Sequence, residues 1–434
     1  MQYSWFDHAL TLGMSSYVAA ATAACFVPFS ILLWRRRIRS PGEDQPPVVG
    51  CRRIGLQGES NLSDQYEKPT PSVSADVGRV KSLWVYPIKS GGGVELVQAR
   101  LISSGLQYDR MFCLAQLRSP FPVTASMSES EASSHTWHFV TQRQNPRLAL
   151  LELDIWVPDP SSISYSPDLP EVRSSGVLVV RYPSEPEYSG LRSIIYNIAR
   201  DLGLHRPTKT FHIPILPSDQ QLSTKFYAEE EVKIWRDSPR ALDMSRHLPD
   251  DLAYSLGISN RLGLFRISPA RPQERIILRN APRQEVLGYQ PTVQFGDAYP
   301  LNILNLASVQ DVANHPDVRR EIPRLSAVRF RGNIICAGPK PYDEETWKKI
   351  SIGDEEYHVA CRCARCMLPN VDPQTASRTQ EPAKAMRKFR AVDKGAGSNA
   401  CLGMQLVSAR VGGTIQVGDT ITVHERGEHV YIKI

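Results

Sequence analysis

The sequence predicts a mainly β protein with a minority of helix (α+β class), built from two β-rich units that follow one transmembrane helix. Among the 434 residues, 33 prolines outnumber 27 glycines. This favours short strands and loops over a helical bundle, because proline interrupts helices and central strands. Short runs of β-branched and aromatic residues recur between turn residues, as is typical of strands. One long uncharged run lies near the start of the chain.

The overall composition is that of a globular protein. Hydrophobic residues make up 41% and charged residues 22% of the chain, which excludes a polytopic membrane protein and a largely disordered one. The formal net charge is +6. Since no long Lys/Arg block is interleaved with aromatic residues, no nucleic-acid partner is predicted.

Residues 1–39 are predicted to form a membrane anchor. The run Ala9–Trp34 contains 26 uncharged residues, enough to cross a hydrocarbon layer of roughly 30 Å. Four cations follow it directly: Arg35, Arg36, Arg37 and Arg39. They predict that the side after the span faces the cytosol. The alternative, a cleaved secretory signal, would carry its positive charge before the apolar run.

The remaining chain is divided by composition. Residues 40–77 are polar and proline-rich without periodicity, and are predicted to be a flexible linker. Residues 78–265 and 266–434 are the two expected β-rich units, and the second is expected to be barrel-like. The first begins with a strand around Leu83–Tyr86 that Pro87 ends.

Three further segments have clear local patterns. Aliphatic residues at helical spacing predict an amphipathic helix over 191–202. Residues 119–134 include six serines and are predicted to be an inserted mobile loop. Near the C-terminus, alternation around the pair Gly418-Asp419 predicts a closing hairpin from 415 to 423.

Three of the eight cysteines stand within six residues as Cys361-Arg-Cys363-Ala-Arg-Cys366. A structural zinc site usually needs four ligands in two pairs, and a plant-type iron–sulfur loop needs a different spacing. A disulfide is not expected if this domain faces the cytosol. A reactive or metal-bound thiolate and a set of small buried side chains both stay open on spacing alone.

The residues around this cluster carry a resemblance to a known family. The stretch from Cys363 to Pro373, followed by Glu381-Pro382, resembles the signature segment of the MOSC domain family (molybdenum cofactor sulfurase C-terminal). Within that family it is most similar to the amidoxime-reducing components of mitochondria. Further segments resemble the family in the same order: Ser82–Ser90, Gly105–Arg110, Val140–Arg147, Phe330–Ile335 and Gly413–Asp419. Five motifs in order are more specific than one short pattern.

The resemblance implies an N-terminal β-barrel domain, a C-terminal MOSC domain and a molybdenum–molybdopterin cofactor. It implies that Cys366 is the thiolate ligand of molybdenum and carries the catalytic role, whereas Cys361 and Cys363 pack nearby. It also implies that the cofactor is bound by the side chains of Lys89, Ser90, Arg110, Arg331, Asn333 and Cys366. Arg331 and Asn333, two residues apart on an expected strand, should point to the same face.

By the same resemblance, the chain is expected to be an oxidoreductase that reduces N-hydroxylated substrates such as amidoximes, hydroxylamines and N-oxides. The electrons would come from cytochrome b5 and its NADH-dependent reductase, since no flavin, haem or iron–sulfur motif is found in the sequence. The expected location is the mitochondrial outer membrane with the enzyme facing the cytosol, and the endoplasmic reticulum is the alternative.

Three other functions are weighed. A complete cofactor sulfurase would need a pyridoxal-phosphate desulfurase domain, and residues 1–76 are too few to form one. A cofactor carrier without redox activity and a zinc-stabilised adaptor remain open. Two departures from the family bear on substrate preference: Ala364 and Ala298 stand where related proteins can carry hydroxyl residues.

Overall fold

The computed structural model describes residues 48–67, 77–120, 122, 124–184, 207–277 and 279–432. The predicted membrane span at Ala9–Trp34 and the predicted amphipathic helix over 191–202 lie outside these residues. Within them, no helix combines the length and the apolar character that crossing a bilayer requires. The described residues form one compact unit by their contacts.

Strands dominate the described residues. They are β1 Cys51–Ile54, β2 Val77–Val85, β3 Val94–Leu96, β4 Gln98–Ile102, β5 Gly105–Leu106, β6 Phe112–Arg118, β7 Thr136–Phe139, β8 Glu152–Pro158, β9 Val177–Pro183, β10 Thr208–Pro214, β11 Glu229–Lys233, β12 Arg240–Asp243, β13 Leu262–Ile267, β14 Leu301–Asn305, β15 Ile334–Ala337, β16 Trp347–Ile352, β17 Glu355–Ala364, β18 Cys401–Ser408, β19 Thr414–Gln416 and β20 Thr420–Arg426.

The helices of the described residues are short. They are α1 Glu129–Ser133, α2 Pro170–Arg173, α3 Asp219–Ser223, α4 Leu252–Ser255, α5 Gln284–Leu287, α6 Leu306–Asn314, α7 Pro316–Glu321 and α8 Ala383–Phe389. The predicted mainly β class is therefore confirmed. The segment predicted to be a mobile loop, 119–134, contains the exposed helix α1. At its start the Ser128 and Glu131 side chains each accept a hydrogen bond from the other residue's backbone amide.

The larger barrel is a closed ring of seven strands. Its order is β15-β14-β18-β17-β16-β20-β2, and the ring closes because β2 also pairs with β15. The pairs are antiparallel except β14–β15, which is parallel. The ring joins the strand at residues 77–85, from the first expected unit, to strands of the second. The domain bounds drawn from the sequence stay a prediction. Strand β2 lies in the first of the two predicted domains and pairs with β15 and β20 of the second.

The smaller barrel closes in the order β11-β12-β13-β6-β7. The last pair, β11–β7, is parallel and completes the circle. Its interior is filled by buried aromatic and β-branched side chains, among which Trp137 and Phe265 pack edge to face at 4.9 Å. The N-terminal barrel that the family resemblance implied is thus confirmed.

A four-stranded antiparallel sheet, β1-β8-β9-β10, packs beside the barrels. Alternate residues of β8 are buried, and Ile155, Leu178 and Ile213 join the same hydrophobic core as Leu83 of the larger barrel. Strand β1 lies inside the predicted linker over 40–77. Because its partner β8 stands about a hundred residues later, local composition does not reveal this strand.

The predicted closing hairpin is wrong. The turn is where the sequence placed it, with Gly418 at a φ of +93° and the Asp419 carboxylate accepting from the Gln416 amide at 2.9 Å. However, β19 pairs with β4, whereas β20 pairs with β16 and β2. Turn residues and alternation are the same whether the two strands pair with each other or enter different sheets. Only tertiary pairing separates these cases.

Helices α6, α7 and α8 cover a second hydrophobic core at one side of the larger barrel. Asn305 caps α6 by accepting from the Ala307 amide at 3.1 Å. Proline at the first position of α7 suits a helix start, because the missing N–H has no helical partner there. The buried side chains Val309, Val318 and Met386 attach the three helices to this core.

Candidate cofactor site

The predicted site residues Ser90, Arg110 and Arg331 share an unusual backbone. Their φ angles are +64°, +46° and +53°, a left-handed conformation that side-chain-bearing residues rarely adopt. Such strain persists where surrounding structure imposes it and is frequent at functional sites. All three lie in the loops that follow β2, β5 and the 3-10 turn Ala327–Phe330.

Arg110 and Arg331 stack on the same buried ring. The guanidinium carbons lie 4.8 Å and 4.0 Å from the centroid of Tyr86, whose side chain is fully buried. Desolvation raises the pKa of Tyr86 to about 12, although both arginines act against this rise. The neutral ring therefore serves as a fixed platform for two cations.

Arg110 is held by protein groups on several sides. Its Nη2 donates to the backbone oxygen of Arg331 at 3.0 Å, its Nη1 donates to Oδ1 of Asn333 at 3.1 Å, and it forms an ion pair with Asp109. Although desolvation lowers the pKa of Arg110, the Asp109 carboxylate outweighs this effect and raises it. Arg110 is thus a permanently charged and firmly oriented donor.

The sequence predicted that Asn333 and Arg331 lie on one strand, and this prediction is wrong. Arg331 follows the 3-10 turn, and β15 begins only at Ile334. The Asn333 amide is buried and used by the protein: Oδ1 also accepts from the Asn302 amide at 3.2 Å, and Nδ2 donates to the Trp84 oxygen at 3.1 Å. Its observed contacts orient Arg110 and tie the surrounding strands together.

Arg331 keeps a donor without a partner. Its Nη1 donates to the Gly91 oxygen at 2.6 Å, while its Nη2 is buried and, within the described residues, has no hydrogen-bond acceptor. Desolvation lowers the pKa of Arg331 to about 10. Buried polar groups are nearly always hydrogen-bonded, so this N–H group is one that an anionic ligand can satisfy.

Lys89 and Ser90 lie next to Gly91 and so join this cluster. The buried Lys89 ammonium donates to the Phe295 oxygen at 2.8 Å and to Oδ1 of Asp297 at 2.5 Å. Desolvation lowers the pKa of Lys89 more than Asp297 raises it. Ser90 is also buried, and its backbone oxygen accepts from the Gln142 side chain at 2.9 Å.

Asp297 is a member of this cluster that the sequence analysis did not select. Its side chain is 63% exposed. Although desolvation by itself would raise the pKa of Asp297, the Lys89 ammonium outweighs it and holds the pKa well below its usual range. The sequence did contain a sign of Asp297, because this residue directly precedes Ala298, a position already compared with the family.

Trp235 adds an aromatic wall. Its Nε1 donates to Oδ1 of Asp297 at 3.2 Å. Its ring packs edge to face on Phe139, with centroids 5.1 Å apart, and the guanidinium carbon of Arg143 lies 4.3 Å from the centroid of the Trp235 ring. The indole is nevertheless 45% exposed, on a residue with a φ of +54°. No pattern in the sequence pointed to Trp235, since a hairpin tip gives no local sign of the distant carboxylate it meets.

Cys366 follows β17 and is half-buried. The preceding residue, Arg365, donates to the Phe330 oxygen at 2.7 Å and to the side-chain oxygen of Asn302 at 3.0 Å. The backbone amide of Asn302 in turn donates to the Asn333 side chain. These contacts join the cysteine loop to the loop that carries Arg331.

The other two clustered cysteines are used differently. Cys361 is fully buried, and burial raises the pKa of its thiol to about 12. The Cys363 sulfur accepts from Nε2 of Gln405 at 3.2 Å, and burial raises its pKa as well. Within the described residues, no group of three or more His, Cys, Asp or Glu side chains is arranged to hold a metal ion.

The charges of the cluster fit a phosphate-bearing cofactor. Of the three cations predicted from the sequence, Lys89 and Arg110 pair with the carboxylates of Asp297 and Asp109. Arg331 has no carboxylate within ion-pair distance among the described residues. The unbalanced cation is Arg331, which also has the unsatisfied buried N–H group. A phosphate group offers the charge and the acceptor oxygens that this arrangement lacks. Cys366 adds a thiolate ligand of the kind that soft metals prefer.

A separate cavity lies elsewhere among the described residues. It has a volume of about 730 Å³ and is lined mainly by residues of the segments 226–228, 243–253 and 258–262, among them Arg246 and Arg261. It shares no lining residue with the cofactor cluster. Both carboxylates and guanidinium groups line it, so its charge does not select one class of ligand.

Two models of known protein families match the chain. Residues 77–189 match the MOSC N-terminal beta barrel domain, and residues 290–422 match the MOSC domain. The chain therefore contains both domains of the MOSC family, as the sequence motifs had indicated.

Individual relatives are similar over most of the chain. "Mitochondrial amidoxime-reducing component 1" of Mus musculus is 25% identical over 396 residues, covering 88% of this chain and 94% of the relative. The Homo sapiens protein of the same name is 24% identical over 390 residues, covering 87% and 94%. "Molybdenum cofactor sulfurase" of Pyricularia oryzae is 25% identical over 417 residues, which are 85% of this chain but 44% of that protein.

Proposed function

We propose that this protein is a molybdenum-cofactor oxidoreductase that reduces N-hydroxylated substrates: amidoximes, hydroxylamines and N-oxides. The observation that carries the proposal is the buried Nη2 of Arg331, which has no hydrogen-bond acceptor among the described residues. The two MOSC domains and relatives named amidoxime-reducing components support it.

The residues have distinct roles in this proposal. Lys89, Ser90, Arg110 and Arg331 bind the phosphate and pterin groups of the cofactor, while Asn333 holds Arg110 in position. The Cys366 thiolate is the protein ligand of molybdenum. When bound, the cofactor supplies the redox chemistry, which the protein side chains themselves cannot perform.

The proposed reaction is balanced by two electrons and two protons. An amidoxime loses its N–O bond and gives an amidine and one water molecule. Asp297 stays ionised at neutral pH because Lys89 lowers its pKa, and its exposed carboxylate can accept a hydrogen bond from a substrate N–H or O–H group. Trp235 fixes this carboxylate from one side.

The electron donor and the location are proposed from the family resemblance. Cytochrome b5, reduced by its NADH-dependent reductase, would deliver one electron at a time. The run Ala9–Trp34 would anchor the chain in the mitochondrial outer membrane with the barrels in the cytosol; an endoplasmic reticulum location is the alternative. The names of the relatives in Mus musculus and Homo sapiens include the word mitochondrial.

A cofactor carrier without reductase activity is the second candidate. It is favoured by one feature of the chain: Ala364, two residues before Cys366, and Ala298 stand where related proteins can carry hydroxyl residues. The residues that bind the phosphate are the same for both functions, so binding alone does not separate them.

The reductase is expected to turn over an N-hydroxylated substrate, whereas the cofactor carrier is not. The full chain is purified in detergent, its molybdenum and zinc are quantified, and benzamidoxime reduction is measured with NADH, cytochrome b5 and the reductase. Molybdenum together with benzamidine formation is expected. Molybdenum without turnover would favour the carrier, and stoichiometric zinc without molybdenum would refute both.

A further inference from the structure

Helices α7 and α8 lie side by side and antiparallel. At one end His315, which precedes α7, stacks on Phe389 at the end of α8, with ring centroids 5.0 Å apart. At the other end the backbone amide of Gln380, just before α8, donates to the Glu321 carboxylate at 2.8 Å. Their outward surfaces therefore form one continuous face, called here the α7–α8 face.

This face is strongly basic. Its exposed cations are Arg319, Arg320, Lys384, Arg387 and Lys388. The two helices hold five cations and two carboxylates, a net charge of +3, whereas the whole chain has +6 over 434 residues. On α8 the cations are spaced three and four residues apart and so occupy one side, while Ala385 and Met386 on the opposite side are buried.

The charge is only partly neutralised. Asp317 binds both Lys388, at 3.0 Å, and Arg320, at 3.1 Å, and Glu321 is used by the Gln380 amide. Among the described residues, Arg319 and Arg387 have no carboxylate within ion-pair distance. The face therefore presents a positive potential to solvent, which attracts acidic partners over distances comparable to the Debye length.

The face is directly connected to the loop of the proposed metal ligand. Asn370, four residues after Cys366, accepts from the Ala383 amide at 3.0 Å and donates to the Gln380 oxygen at 2.9 Å. Four residues span at most about 14 Å even when fully extended, and this segment is shortened by the 3-10 turn Leu368–Asn370. A partner seated on α8 is thereby brought close to the metal position.

An exposed apolar side chain lies in the segment that connects the cysteine to Asn370. Met367 follows Cys366 directly and is 50% exposed. A small apolar centre with a charged rim is the arrangement of protein interfaces, and weak redox encounters use small areas of this kind. The flexible methionine side chain suits a contact that must form and dissociate at every turnover.

We propose that the α7–α8 face, together with Met367, is the docking surface for an acidic one-electron donor protein. The inference rests on the proposed reductase function and identifies where its electrons enter. Two successive encounters supply the two electrons of one turnover. Electron tunnelling falls steeply with distance, so the donor must dock beside the cofactor, and this is the basic surface tied to the Cys366 loop.

The test uses a charge reversal on α8 and a matched control. The full-length, cofactor-loaded protein is compared with the double variant Lys384→Glu/Arg387→Glu. Arg387 has no hydrogen-bond partner among the described residues, and Lys384 bonds only the Gln380 side chain, at 3.2 Å, so the fold should persist. The control, Arg52→Glu/Arg173→Glu, changes the net charge equally on the four-stranded sheet and helix α2.

Benzamidoxime reduction is measured with two electron donors. With limiting cytochrome b5, the α8 variant is expected to lose at least about tenfold in rate and most of its salt dependence, because electrostatic steering accelerates association by 10- to 1000-fold. With dithionite-reduced methyl viologen, a small donor that needs no docking surface, its rate should stay within about twofold of the wild type. The control variant should resemble the wild type with both donors.

Several results would overturn the inference. These are an unchanged rate with cytochrome b5, an equal loss in the control variant, or an equal loss with methyl viologen. A variant that loses binding to phosphatidylserine vesicles but keeps its cytochrome b5 rate would assign the face to a membrane instead. If the wild type reduces nothing with either donor, the proposed function fails, and calorimetric titration with the oxidised cytochrome b5 haem domain still tests docking.

Discussion

Arg331→Met is expected to separate cofactor retention from folding. In the wild type, desolvation lowers the pKa of Arg331 to about 10 from the ordinary 12.5, which corresponds to roughly 3 kcal/mol at about 1.4 kcal/mol per pKa unit. The substitution removes this cost and the unpaired Nη2. It also removes the hydrogen bond to the Gly91 oxygen and the stacking on Tyr86, together worth about 2 to 4 kcal/mol.

These contributions nearly cancel in the absence of cofactor. The free energy of unfolding of the cofactor-free protein should therefore change by no more than about 1 kcal/mol. Cofactor binding should respond much more strongly, because a charge-assisted hydrogen bond to a phosphate contributes about 1.5 to 3 kcal/mol. This corresponds to an affinity roughly 10- to 150-fold lower.

The measurements are molybdenum per protein after extensive dialysis and the thermal midpoint of the cofactor-free protein. Arg329→Met provides the contrast. Arg329 is buried and pairs with Asp372 at 2.6 Å, so its loss leaves a carboxylate unpaired and should lower stability by about 3 kcal/mol. An Arg331→Met protein that retains wild-type molybdenum, or that unfolds as readily as Arg329→Met, would refute the assignment of Arg331 as a cofactor ligand.

Three further predictions concern single side chains. Cys366→Ser should lower molybdenum retention and benzamidoxime turnover at least about tenfold, whereas Cys361→Ser should lower the thermal midpoint and leave molybdenum bound; full activity of the Cys366 variant would contradict the ligand role. Trp235→Phe keeps a ring but loses the 3.2 Å bond to Asp297, so kcat/KM for benzamidoxime should fall about fivefold with an unchanged cofactor content, and equal kinetics would argue against this positioning. Burial raises the pKa of Glu344 to about 7. Between pH values of about 4.5 and 7 the folded protein therefore binds more protons than the unfolded chain. Its stability falls as the pH rises through that range. Glu344→Gln should match the wild type at pH 5 and be more stable at pH 8, by up to about 3 kcal/mol; thermal midpoints at both pH values decide this.

Local patterns in the sequence were sufficient for much of the fold. The strand expected around Leu83–Tyr86 overlaps the end of β2, Val77–Val85, because β-branched and aromatic residues favour strands over short distances. Pairing partners were not predictable in this way. The closing hairpin was wrong because Thr414–Gln416 pairs with β4 and Thr420–Arg426 pairs with β16 and β2.

The candidate site shows the same division. The motifs selected Arg110 and Arg331, which the structure brings onto one ring, and Cys366, which it joins to them through Arg365. They did not select Asp297 or Trp235. A carboxylate and an indole are ordinary residues in the sequence, and they gain significance only because folding places them 3.2 Å apart.

By itself, the sequence predicted the mainly β class, the MOSC domains and the residues of the candidate cofactor site. These properties depend on short-range patterns and on motifs in a fixed order. The tertiary structure alone decided that the 77–85 strand closes the larger barrel, that Asn333 positions Arg110, and that Arg331 keeps one buried donor unpaired. The physical reason is that burial, charge balance and hydrogen-bond satisfaction depend on contacts between residues more than two hundred positions apart.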